Sequence, residues 1–177
     1  WVLSNEDGHS AMARARMLRA EAVSAVQRGD LASAQTVLAS CEFLYSTLTK
    51  AVSTRKRYSA VQKGMDDWDE GIGKMKEDTS EQRAKKREAE RLYGQAEDIV
   101  DEELRQADTQ LTAALRALNA GEREDATRAM AQAGRHLSVA ESCRSIFTPD
   151  FGDGAPAPEG MTWWQYSRAG GFRAQAL

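Results

Sequence analysis

Aromatic residues make up only 7% of this chain of 177. A core built on large rings is therefore excluded for most of its length, and abundant alanine points to thin, closely packed helices that are wet on their outer faces. Nothing approaches the roughly 20 uninterrupted apolar residues of a membrane-spanning helix, so the chain reads as soluble or peripheral. Cysteine is limited to Cys41 and Cys143, which make no disulfide framework. The only histidines are His9 and His136. A formal net charge of -3 gives no overall reason to seek nucleic acid or an anionic membrane. An initiator methionine is missing too. With Trp1 first, the expectation is a removed targeting segment, organellar or secretory, or a start inside a longer chain, which leaves the compartment unread.

What is present is helical spacing, almost everywhere. Ala15, Leu18, Ala22 and Ala25 form a first stripe ending at "RGD", where Gly29 closes the helix and Asp30 caps the next. Leu31, Ala34, Leu38, Cys41, Tyr45, Leu48 and Val52 read as a coiled-coil seam over three heptads. After "STRKR" the rhythm resumes through Tyr58, Val61, Met65, Trp68, Ile72 and Met75. Gly64, Gly71 and Gly73 each cost about 1 kcal/mol against alanine in a helix, which predicts fraying or a break after Lys63. Thr79 and Gln82 are spaced as a capping box. Tyr93, Ala96, Val100, Leu104, Ala107, Leu111, Ala114 and Leu118 make the third stripe, closed by Gly121. Ala126, Met130, Ala133, Leu137, Ala140, Arg144 and Phe147 make the fourth, which Pro149 stops.

These stripes predict an all-α fold: an antiparallel four-helix bundle over residues 10–147, followed by an extended C-terminal arm over 148–177. With both glycine turns level at one end, the two middle helices, about 40 residues each, outreach the outer pair. They would project ~25 to 35 Å as a two-helix coiled-coil stalk spanning about 53–99, rooted near Val52 and Val100. Cys41 and Cys143 then differ by ~15 Å in depth, too far for a bridge.

Signals for chemistry are weak. A carboxylate-bridged metal bundle needs Glu-x-x-His motifs, which the sequence lacks. "DDWDEG" and "DFGDG" do not space their acids as a calcium loop does. Cys41 reads as a small apolar seam residue and His136 as a bundle-edge histidine. No catalytic, metal-binding or cofactor-binding residue is assigned, and the chain is read as a non-enzyme. Arg55, Lys56 and Arg57, with Lys85, Lys86 and Arg87, fall on the predicted stalk within a turn or two in depth, as a possible basic collar. Interleaved acids favour ordinary helix-surface pairing over nucleic-acid binding.

The arm is the strongest pointer to use. Residues 148–177 hold five of the chain's twelve Phe, Trp and Tyr residues. Trp163, Trp164, Tyr166, Arg168 and Phe172 are the residue types that anchor protein interfaces, and Pro156 and Pro158 lie in the linker before them. Packing on the bundle of the same chain, or lying at a membrane surface, are the competing uses. The expected function is a non-catalytic accessory or scaffold subunit, touching other protein subunits of a large complex through stalk and arm. A second reading is a regulatory bundle that binds and inhibits an enzyme. "LYGQAEDIVDEEL" and a cysteine ending the last helix resemble plant pectin methylesterase and invertase inhibitors, whose paired N-terminal cysteines are absent here. A third is a peripheral subunit held at a membrane complex by the aromatic arm.

Overall fold

The computed structural model describes residues 5–147, and the aromatic arm lies outside them. The described chain is an all-α four-helix bundle: α1 Glu6–Gln27, α2 Leu31–Gly73, α3 Ser80–Ala120 and α4 Arg123–Phe147. Its two middle helices are the long ones, at 43 and 41 residues.

The helix ends follow the local chemistry read from the sequence. Asn5 caps α1 by accepting the Gly8 amide at 3.2 Å. Asp30 accepts the Ser33 amide at 3.0 Å, and that bonding holds its carboxyl below the usual range. Thr79 and Gln82 exchange both bonds of the capping box, at 3.2 and 3.0 Å. Gly29 and Gly121 sit at φ 77° and 86°, the left-handed region that an L side chain enters only with strain.

The chain divides into two compact units that share α2, α3 and α4. Described residues of the first are 5–56 and 107–134, and of the second 57–106 and 135–147. In the first unit Ala11, Ala15, Leu44, Leu48, Ala51, Leu111, Leu115, Leu118, Ala126 and Ala133 form the core. In the second, Val61, Met65, Trp68 and Ile72 of α2 are buried, as are Ala96, Val100 and Leu104 of α3 and Leu137, Ala140 and Cys143 of α4. The stripes expected on α1 and α3 are thus the buried ones, with Leu18 and Tyr93 half-buried at their margins.

Five expectations are corrected. The two glycine turns are not level. In the first unit the Arg14 guanidinium donates to the carbonyl of Asn119 at 2.7 Å, and Arg123 donates to Ser40 Oγ at 2.7 Å. The Gly121 turn therefore lies about ten residues, or ~15 Å, along α2 from the Gly29 turn. Arg14 fixes this stagger by placing a cation on the Leu118 and Asn119 carbonyls at the C-terminal end of α3, where the helix dipole favours it.

The α2 seam is also rotated. Ala34, Cys41 and Leu48 are buried together with Leu44 and Ala51, while Leu31, Leu38, Tyr45 and Val52 are between 37% and 67% exposed. Helix α2 carries three apolar positions per heptad, and the two that pack inward are the other two.

No break follows Lys63, for α2 continues through Gly64 and Gly71 to Gly73. Burial of Val61, Met65, Trp68 and Ile72 outweighs the propensity cost. Gly64 has a positive use: the Arg144 side chain lies where its Cβ would be, and donates to the Ala60 carbonyl at 3.1 Å. Cys143, not Arg144, is accordingly the inward residue at this turn of α4, because a small thiol can be buried where a guanidinium cannot.

Finally, α4 covers the root of the expected stalk. In the second unit Arg57 grips Glu141 with two bonds at 2.9 and 2.6 Å, and the Cys143 thiol lies 3.9 Å from the Ala96 carbonyl. The α2–α3 pair stands without α4 only beyond about Gly64.

Candidate functional site

In the second unit Trp68 and Tyr93 meet edge to face, with centroids 5.2 Å apart and planes at 81°. Trp68 is almost fully buried, yet its indole N–H has no acceptor among the described residues. Burial, then the carboxylates of Glu97, Asp69 and Asp101, push the Tyr93 hydroxyl up to about 12. An unfolded tyrosine ionises near pH 10. Between these values the unfolded chain releases a proton that the folded chain keeps, so stability is unaffected below pH 10 and falls as pH rises toward 12. A tyrosinate absorbance titration is expected to show one of the four tyrosines ionising late, and Tyr93→Phe is expected to remove that step.

Within the second unit the basic residues of the expected collar are not brought together. In the first unit Arg55 pairs with Asp108 at 2.7 Å, while Lys56 is exposed. In the second unit Arg57 is held by Glu141, Lys85 by Glu81 and Lys86 by Glu77. Trp68 lies opposite Tyr93, which puts Arg57 and Arg87 about 17 residues apart in depth, or ~25 Å. The ten-residue stagger of the hairpins accounts for the difference from a turn or two. Solvent and salt screen the pairs on this wet surface, so they contribute little to stability.

Among the described residues no group of three or more His, Cys, Asp or Glu is placed to hold a metal ion. None of the described helices is long and apolar enough to cross a membrane. His136 bonds through Nδ1 to Glu103 at 2.7 Å, half-buried. Cys41 and Cys143 are buried, with Sγ directed at helix carbonyls, the environment of an inert structural thiol. A cleft of about 360 Å³ in the first unit is lined by Phe43, Thr47, Lys50, Thr54, Thr127 and Met130. Its volume would admit a small ligand. Its lining offers one amine and several hydroxyls but no carboxylate or imidazole, so it lacks the paired acid and base of a catalytic centre. A second cleft of about 170 Å³ has both its arginines engaged, Arg14 on α3 carbonyls and Arg123 on Ser40 and over the Phe43 ring.

One surface escaped the sequence reading. Leu31, Leu38, Tyr45 and Val52 recur every seven residues and lie outside the core, so they line one side of α2. The three-per-heptad apolar count of α2 was the signal that two of its faces are apolar.

The interface residues expected in the arm, Trp163, Trp164, Tyr166, Arg168 and Phe172, fall outside the described residues. No protein family matches this chain, and no curated protein or solved structure was found to match it.

Proposed function

We propose that this chain is a non-catalytic accessory or scaffold subunit of a larger protein assembly, contacting its neighbours through the α2–α3 helical pair and the Trp-rich C-terminal segment. The observation that carries this reading is how the helices close. From Ala11 to Cys143 the buried stripes are mostly alanine and leucine, with valine, methionine, isoleucine and cysteine, and Trp68 is the one buried aromatic side chain among the described residues. A core supplied in this way places no demand on Trp163, Trp164, Tyr166 and Phe172, which are then available to a partner.

The test is removal of residues 161–177. Helicity and melting temperature are expected to stay within about 2 °C of the full chain, while a protein partner is lost from a pull-down. A melting temperature lowered by 10 °C or so would show the segment packing on its own chain, and would end the docking reading. A stable one-to-one complex with a soluble enzyme that loses activity on binding would instead establish an inhibitory bundle.

A further inference from the structure

The first unit presents an apolar face that its own helices leave uncovered. Helix geometry puts Leu31, Leu38, Tyr45 and Val52 about 60° to 120° from the buried stripe of α2, at 100° per residue. Val23 and Val26, each 52% exposed, are displaced from the buried stripe of α1 in the same rotational sense. In an antiparallel hairpin equal rotations on the two helices point to the same side, so all six residues share one face. Contacts to α3 and α4 leave from the other side: Arg14 and Asp7 of α1 reach Asn119 and Arg116, and Ser40 of α2 receives Arg123.

Charge on this face is arranged in a complementary way. Arg16 and Arg19 lie on its α1 half and Glu42 on its α2 half, and none of the three has an ion-pair partner among the described residues. Arg16 stands eleven residues before Gln27, and Glu42 eleven after Leu31. They are therefore at equal depth from the Gly29 turn, ~17 Å.

We propose that this face binds a second copy of the same chain about a two-fold axis parallel to the α1–α2 hairpin. That axis lays α1 of one copy against α2 of the other, antiparallel and at equal depth. Val23 and Val26 then meet Leu31 and Leu38 of the second copy, Arg16 meets Glu42, and Met12 meets Tyr45. A parallel axis is the isologous arrangement that turns the equal depth of Arg16 and Glu42 into two ion pairs. An axis across the hairpin would set α1 against α1 and bring the arginines together. The face is about 30 Å by 18 Å, so the dimer buries on the order of 1,000 Å² in total, at the lower edge of specific interfaces. Association in the micromolar range follows. This dimer does not depend on the accessory-subunit reading, which the removal of residues 161–177 tests separately.

Sedimentation velocity on the full chain from about 2 to 200 µM is the measurement. A monomer–dimer equilibrium is expected in that range. Leu38→Glu, at an exposed position that folding tolerates, is expected to weaken association at least roughly tenfold with an unchanged circular dichroism spectrum. Glu42→Arg should weaken it as well, and the swap of Arg16→Glu with Glu42→Arg should restore it. A chain monomeric at 200 µM overturns the proposal, as does a dimer indifferent to Leu38→Glu or a swap that fails to rescue. Dimerisation only after removal of residues 161–177 would identify the aromatic segment as the occupant of the face, and would overturn it equally.

Discussion

Leu111→Ala is expected to destabilise the protein by about 3 kcal/mol, within a range of roughly 2 to 5. Leu111 is fully buried in α3, in a core that it shares with Ala11, Ala15, Ala51, Ala117, Ala126 and Ala133 and with Leu44, Leu48, Leu115 and Leu118. Alanine side chains cannot swing into a vacancy, so the cavity left by the isobutyl group relaxes little. The site therefore belongs in the upper part of the range for leucine truncations. Leu38→Ala supplies the contrast, because that leucine is 45% exposed. Its loss should cost less than about 1 kcal/mol in dilute solution. Urea unfolding followed by far-ultraviolet circular dichroism measures both variants. Equal losses would mean that Leu38 is a core residue and that the rotated α2 seam is wrong.

Trp68→Ala should cost about 3 to 5 kcal/mol, since it removes the largest buried side chain of the second unit and its edge-to-face contact with Tyr93. Trp68→Phe is the more discriminating change. It keeps most of the apolar contact and deletes an indole N–H that has no acceptor among the described residues. A buried donor left unpaired costs about 1 to 3 kcal/mol, which offsets much of the smaller ring's lost packing. The expected net loss is below about 1.5 kcal/mol. If Trp68→Phe were as damaging as Trp68→Ala, the indole N–H would have to be bonded in the folded protein, for instance to a water or to a residue outside 5–147. Thermal unfolding of the two variants side by side decides this.

The sequence was legible where one residue, or one turn of helix, decides the outcome. Gly29 and Gly121 end helices because only glycine takes their φ at no cost, and Thr79 with Gln82 starts one by local bonding. The α3 stripe was equally plain, because its apolar positions mark a single face. Helix α2 offered three apolar positions per heptad, and nothing local decides which two face inward. The stagger between hairpins was not legible at all, since heptad spacing repeats and a seam can slide along its partner. Arg14 sets it, a residue whose side chain reads in isolation as an ordinary surface arginine. One undetected slide moved two conclusions, the length of the free α2–α3 pair and the meeting of the two basic runs. Of the candidate site, the exposed row on α2 was visible as residues and misread as core. The aromatic arm was conspicuous by composition alone.

An interior dominated by alanine has a thermal consequence. Each buried alanine removes less apolar surface from water than a leucine or phenylalanine would, and that surface is what raises the heat capacity on unfolding. The heat-capacity increment of this bundle should therefore fall at or below the low end of the usual ~12 to 15 cal/mol/K per residue. A small increment flattens the curve of stability against temperature. Cooling then weakens the fold little, and its margin is spread over a wide range of working temperatures instead of being concentrated near one.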